Sequence, residues 1–152
     1  MLMVGAALGL ALNRASPHPL PLFPRVVGLA PAPRLALPDG VQPLSLERAR
    51  AMLGDKQILF LDAREPGEYA EGHVPGAIHL PPAEFFTGYP DLAPEVEAAR
   101  AVVIYCRSLE CHDAVELAEL LKDVTDRPLF VFEEGWRAWQ EAGYPTSRGR
   151  QP

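Results

Sequence analysis

Cysteine is scarce in this chain of 152 residues: Cys106 and Cys111 are the only two. Two cannot build a disulfide scaffold. Their spacing of five is neither CxxC nor a paired zinc-knuckle pattern, so no metal site is expected. Excess positive charge is also missing. Lys and Arg number 14 against 20 Asp and Glu, a net of −6, and no basic patch is interleaved with aromatics, which argues against nucleic acid as a partner. No apolar run reaches the length of a membrane span. Residues 1–12 (MLMVGAALGLAL) are uninterrupted apolar residues and glycines, yet as a helix they would cover about 18 Å of a roughly 30 Å hydrocarbon layer.

This N-terminal segment, 1–13, lacks a basic leader, a good A-x-A cleavage site and a lipobox cysteine. It is read as a membrane anchor or the remnant of an export signal, with a misassigned start or a plain tail as the alternative. An envelope location and a cytoplasmic one both stay open. Proline, by contrast, is plentiful. There are 17, and eight stand at or before Pro43, a density that forbids helix and sheet interior. Residues 14–43 therefore read as a spacer with polyproline-II character. That leaves 152 − 43 = 109 residues, enough for one ordinary domain. Residues 147–152 read as a tail.

Within the domain, Ser45 is placed to cap a helix over 46–53, ended by Gly54. Residues 57–62 (QILFLD) and 101–106 (AVVIYC) are apolar runs of strand length, and 129–132 reads as a third strand. A short strand is expected at 77–80. Pro66 suits the first position of a helix running to Glu71. Further helices are expected over 92–100, 112–123 and 135–142. Strands alternating with helices mean an α/β domain with a central, mainly parallel sheet flanked by helices.

In such sheets reactive groups lie beyond the carboxyl ends of the strands. Cys106 ends the most apolar strand, and a helix starts about five residues later. A sulfur there would meet loop N–H groups, the positive end of that helix and the Arg107 side chain, all favouring a thiolate. A buried, inert cysteine is the competing reading.

Three stretches are distinctive in order. Asp62-Ala-Arg64-Glu-Pro-Gly-Glu68-Tyr69-Ala-Glu-Gly72-His73-Val-Pro75-Gly76-Ala77 resembles the signature that precedes the active site of rhodanese domains. Tyr105-Cys106-Arg107-Ser108 stands where their cysteine loop belongs. Glu134-Gly135-Trp136-Arg-Ala-Trp139-Gln-Glu-Ala142-Gly143-Tyr144-Pro145 looks like their closing motif, with Glu134 in place of a first glycine. The resemblance covers 44–146 and implies the three-layer rhodanese-like α/β fold. It implies sulfur transfer: Cys106 would attack a sulfane-sulfur donor such as thiosulfate, become a persulfide and pass sulfur to a thiol or other nucleophile. No metal or organic cofactor is implied. The partners would be a small sulfur donor and a thiol or protein acceptor; membrane association through residues 1–12 is a separate expectation, from their apolar run and not from the resemblance.

The loop departs from the family's Cys-Arg-Ser-Gly-x-Arg. It reads Cys106-Arg107-Ser108-Leu109-Glu110-Cys111, followed by His112. Leu109 makes a left-handed backbone costly there, and Glu110 with Cys111 weakens attraction for a dianionic donor. These residues form the candidate substrate loop. Cys111 is also a candidate redox partner of Cys106, which makes a thiol–disulfide module one alternative function; a non-catalytic interaction domain is another. A cysteine phosphatase would need Cys-x5-Arg, and His112 occupies that arginine's place. Asp62, Arg64, Glu68 and His73 resemble the family's internal polar network.

Overall fold

The computed structural model describes residues 36–149. The readings placed on 1–13, on most of the proline-rich stretch and on the last three residues lie outside them. Strands β1 (Gln42–Leu44), β2 (Ile58–Asp62), β3 (Ile78–His79), β4 (Ala101–Tyr105) and β5 (Leu129–Phe132) form one sheet in the order β1-β5-β4-β2-β3. Every pairing is parallel. The helices are α1 (Leu46–Met52), α2 (Pro66–Glu71), α3 (Phe85–Ala98), α4 (Asp113–Lys122) and α5 (Gly135–Glu141), with a 3-10 turn at Pro82–Glu84. Among the described residues no helix is long and apolar enough to cross a membrane.

Alternation along the strands sorts the core into two layers. Leu61, Val102, Ile104, Leu129 and Val131 face one side, where they meet Leu92 and Val96 of α3 and Leu117 and Leu121 of α4. Phe60, Val103, Tyr105 and Phe132 face the other, against Ala49 of α1 and Trp136 and Trp139 of α5. β4 is buried throughout, as its unbroken apolar run requires of a central parallel strand.

Two elements differ from expectation. β1 brings Pro43 into the sheet, opposite Val131. It is an edge strand, where a missing N–H leaves no gap in the ladder, and Val41 and Leu44 anchor it by burial. The expected helix over 92–100 starts seven residues earlier, at Phe85, and runs through Gly88, Pro90 and Pro94. Each interior proline costs about 3 kcal/mol. Against that cost, Phe85, Leu92 and Val96 are buried and Tyr89 is half-buried, a stripe at helical spacing, and each buried large side chain contributes about 1.5–3 kcal/mol. Gly88 lets the helix lie close to Leu80, whose Cδ1 would stand 3.0 Å from a Cβ there.

Candidate active site

β4 hands the chain to the site. Cys106 follows Val102 and Ile104 on the α4 side of the sheet, and its residue is only 3% exposed. The loop behind it is held from outside by α5. The Trp136 N–H donates to the Cys106 carbonyl at 2.8 Å and the Arg137 N–H to the Arg107 carbonyl at 3.0 Å. Because a trans peptide sets C=O and N–H antiparallel, the Arg107 and Ser108 N–H groups are turned the opposite way, away from α5. Gly135 makes this docking feasible: its φ is +66°, and a Cβ there would lie 2.5 Å from the Cys106 carbonyl oxygen. The Cys111 N–H closes the turn on the Ser108 carbonyl at 3.0 Å. No non-glycine residue among the described residues has a positive φ, so Leu109 takes no left-handed conformation.

Cys106 and Cys111 are joined as a disulfide, with Cα atoms 6.1 Å apart. Both sulfurs lie against one carboxylate: Asp113 Oδ2 is 3.5 Å from Cys106 Sγ and 3.4 Å from Cys111 Sγ. Asp113 is the first residue of α4. Its charge opposes thiolate formation, and it is positioned to accept a hydrogen bond from a thiol once the pair is reduced. These three ligand atoms form a group within 4.8 Å. The group could serve a soft metal only in the reduced state, since metal ligation uses the thiolate.

The expectation that the Arg107 side chain attends the sulfur fails. Its guanidinium is bound to Glu68 through two hydrogen bonds of 2.7 and 2.6 Å. Arg107 holds the Glu68 carboxyl below its ordinary pKa, against the upward pull of partial burial. Ser108 Oγ donates to Glu110 at 3.1 Å. His112 is exposed and lines a separate groove with Leu37 and Val115. The cleft of about 690 Å³ beside the loop is lined by Arg64, Glu68, Arg107, Trp136 and Arg148 and by neither cysteine.

The polar network divides in two. Asp62 ends β2 beside Tyr105, its ladder partner. Its carboxylate accepts from Arg64 Nε at 2.9 Å, Arg64 Nη2 at 2.5 Å and the Tyr105 hydroxyl at 2.6 Å. Arg64 also donates to the Gly72 carbonyl at 2.7 Å, and Tyr105 Oη accepts from the Val74 N–H at 3.1 Å. Asp62, Arg64 and Tyr105 are all at most 2% exposed. Burial and the Asp62 charge push the Tyr105 hydroxyl pKa well above its ordinary value. For Arg64 burial pulls down, but the hydrogen bond and charge of Asp62 win and raise it. Glu68 and His73 belong elsewhere. Glu68 serves Arg107; His73 bonds the Tyr69 carbonyl through Nδ1 at 2.9 Å, stacks on the Tyr69 ring, and pairs with Ser147 through its backbone.

Sequence reasoning passed over Asp113 and Tyr105. An acidic residue in a helix's first turn is ordinary, and a tyrosine in an apolar strand reads as packing, so neither carried a distinct signal.

A parallel α/β domain that presents a cysteine loop at the end of its central strand defines a class of cysteine-loop α/β domains. The family model described as the rhodanese-like domain matches residues 45–142, and the chain belongs to that family. It is 26% identical over 116 residues to Arsenate reductase 2.2 of Oryza sativa, covering 72% of this chain and 89% of the relative. It is 32% identical over 93 residues to an HTH-type transcriptional regulator of Mycobacterium tuberculosis, covering 61% of this chain and 39% of the regulator. The crystal structure of a thiosulfate sulfurtransferase from Pseudomonas aeruginosa superposes with a TM-score of 0.60 at 26% identity, over 73% of this chain and 21% of that one. The match thus spans well under half of the regulator and of that sulfurtransferase.

Proposed function

We propose that this domain is a sulfurtransferase-type enzyme whose nucleophile is Cys106. Its relatives include a sulfurtransferase and an arsenate reductase, which supports sulfur transfer or a related thiol-based activity in general. The finer reading rests on one observation: Cys106 stands at the carboxyl end of the central strand, in a loop whose first two carbonyls are engaged by α5. The amides facing the other way would stabilise charge on the terminal sulfur of a persulfide. The Cys106 thiolate attacks the outer sulfur of the donor, the donor's remainder departs with the bonding pair, and an acceptor then takes the sulfur. The candidate substrate loop is 107–112, within which Arg107 serves through its backbone, its charge being bound to Glu68. With Asp113 at the sulfurs and Glu110 in the loop, a monoanionic donor is favoured over a dianion such as thiosulfate.

The disulfide favours a second, redox reading: the pair cycles between dithiol and disulfide, and Cys106 acts only after reduction. The test is to reduce the protein, remove the reductant and add an aryl thiosulfonate, a monoanionic donor that departs as sulfinate. Sulfinate release dependent on Cys106 supports transfer. Equal release from Cys106→Ser, or none from the wild-type domain, overturns it.

A further inference from the structure

We infer that Cys111 resolves the persulfide on Cys106, so that the domain releases its sulfur as sulfide and ends the turnover as the Cys106–Cys111 disulfide. The inference rests on the sulfur-transfer reading above and adds the product and the class of reductant that resets the site.

Four observations carry it. The two sulfurs are within bonding reach, on Cα atoms 6.1 Å apart. Cys111 is held there by its own N–H, which closes the turn on Ser108. Cys106 is 3% exposed while Cys111 is half-buried, so the Cys106 sulfur offers an external acceptor little surface. A tethered thiol already in place enjoys the large effective concentration of an intramolecular reaction. Finally, Asp113 Oδ2 lies 3.4 Å from Cys111 Sγ, placed to take its proton, while the Arg107 charge that could hold an anionic persulfide is bound to Glu68. The loop amides thus face the terminal sulfur with no side-chain cation of Arg107 beside them to retain it as it leaves.

The Cys111 thiol gives its proton to Asp113 and attacks Cys106 Sγ. The new Cys106–Cys111 bond forms as the bond from Cys106 Sγ to the outer sulfur breaks, and the pair leaves with that sulfur as hydrosulfide. The outer sulfur is reduced by two electrons, and the two cysteine sulfurs supply them. A dithiol reductant, small or carried by a protein, then opens the disulfide by exchange and returns both thiols. The domain therefore needs a sulfide-consuming reaction after it and a dithiol-regenerating one beside it.

The experiment is an anaerobic single turnover of the full chain, reduced and then freed of reductant, with an aryl thiosulfonate and no added thiol. Sulfinate reports persulfide formation, sulfide reports resolution, and intact mass reports the protein. The wild-type chain is expected to release sulfide and sulfinate one to one and to become lighter by two hydrogens. In Cys111→Ser, each sulfinate released is matched by one sulfur atom retained on the protein, with sulfide near zero until an external thiol is added; Cys111→Ala checks that this does not depend on the serine. Sulfinate release with the sulfur retained on the wild-type chain overturns the inference and leaves the proposed function standing. No sulfinate from the wild type overturns the proposed function itself.

Discussion

Gly135 is where the closing helix and the cysteine loop touch, and Gly135→Ala tests whether that contact sets the loop. Two costs add. At φ +66° a side chain pays about 1–2 kcal/mol for the left-handed backbone. The new Cβ would also stand 2.5 Å from the Cys106 carbonyl oxygen and 3.0 Å from Ser108 N, and neither is the end of a flexible side chain. Backbone must move, weakening the hydrogen bonds from Trp136 and Arg137, each worth about 1 kcal/mol net. The total is about 3–4 kcal/mol, which at roughly 4 °C per kcal/mol for a domain near this size lowers Tm by about 12–16 °C. Gly143→Ala is the control. Its φ is +67° and nothing lies within 4 Å of its Cβ position, so only the backbone cost of about 1–2 kcal/mol applies. Thermal and urea unfolding of the two variants isolate the close-approach cost, and sulfinate release per folded molecule should fall in Gly135→Ala. Equal destabilisation by the two substitutions would refute the argument that α5 fixes the loop.

Tyr105→Phe removes the hydroxyl shared by Asp62 and the Val74 N–H and leaves both buried groups short of a partner; urea unfolding should show a loss of about 2–4 kcal/mol. Because the Tyr105 pKa is raised in the folded state, its contribution is fully present below pH 10 and is lost as pH climbs from there through the folded value. Alkaline unfolding followed by circular dichroism should therefore lose that limb in Tyr105→Phe. Glu68 has the opposite sign: its folded pKa is depressed below 4.5, so its contribution is present above that value and disappears as pH falls through the folded one. The Arg107–Glu68 pair is largely exposed on the arginine side, so Glu68→Gln should cost only about 0.5 kcal/mol at neutral pH, less in high salt. Ser45→Ala should cost about 0.5–1 kcal/mol, at the lower end because the cap bond to the Arg48 N–H is long at 3.5 Å.

The core of this fold was legible because its signals are local. Apolar runs at 57–62, 101–106 and 129–132, the Pro66–Gly72 bracket and the Ser45 cap each declare an element within a few residues, and the structure has each element to within a residue. The α3 start was not legible, because Gly88 and Pro90 are breakers by propensity, and the helix there is explained by the buried stripe of Phe85, Leu92 and Val96. β1 hid for a related reason: three residues containing a proline acquire strand identity only from β5 beside them. In the site, spacing made Cys111 a candidate partner of Cys106 and left the pairing open. The partner of Arg107 could not, since Glu68 is 39 residues away along the chain. Asp113 gains its meaning only when the turn folds both sulfurs back onto the helix it begins.

The strand order carries a consequence for synthesis. β5 sits between β1 and β4, and 130 − 42 = 88 residues separate Gln42 from its ladder partner Phe130. A ribosome making about 5–20 residues per second leaves β1 unpaired for several seconds. Meanwhile β2 and β4 can already zip together, with one edge of β4 bare and hydrophobic. The strand that joins β1 to the rest of the sheet is the last of the five to be made, immediately followed by the helix that docks on the Cys106 loop. A nascent or stalled chain ending before residue 129 would thus display an adhesive edge and a Cys106 loop whose first two carbonyls are not yet engaged, making the interval before β5 the stage at which chaperones would find this protein.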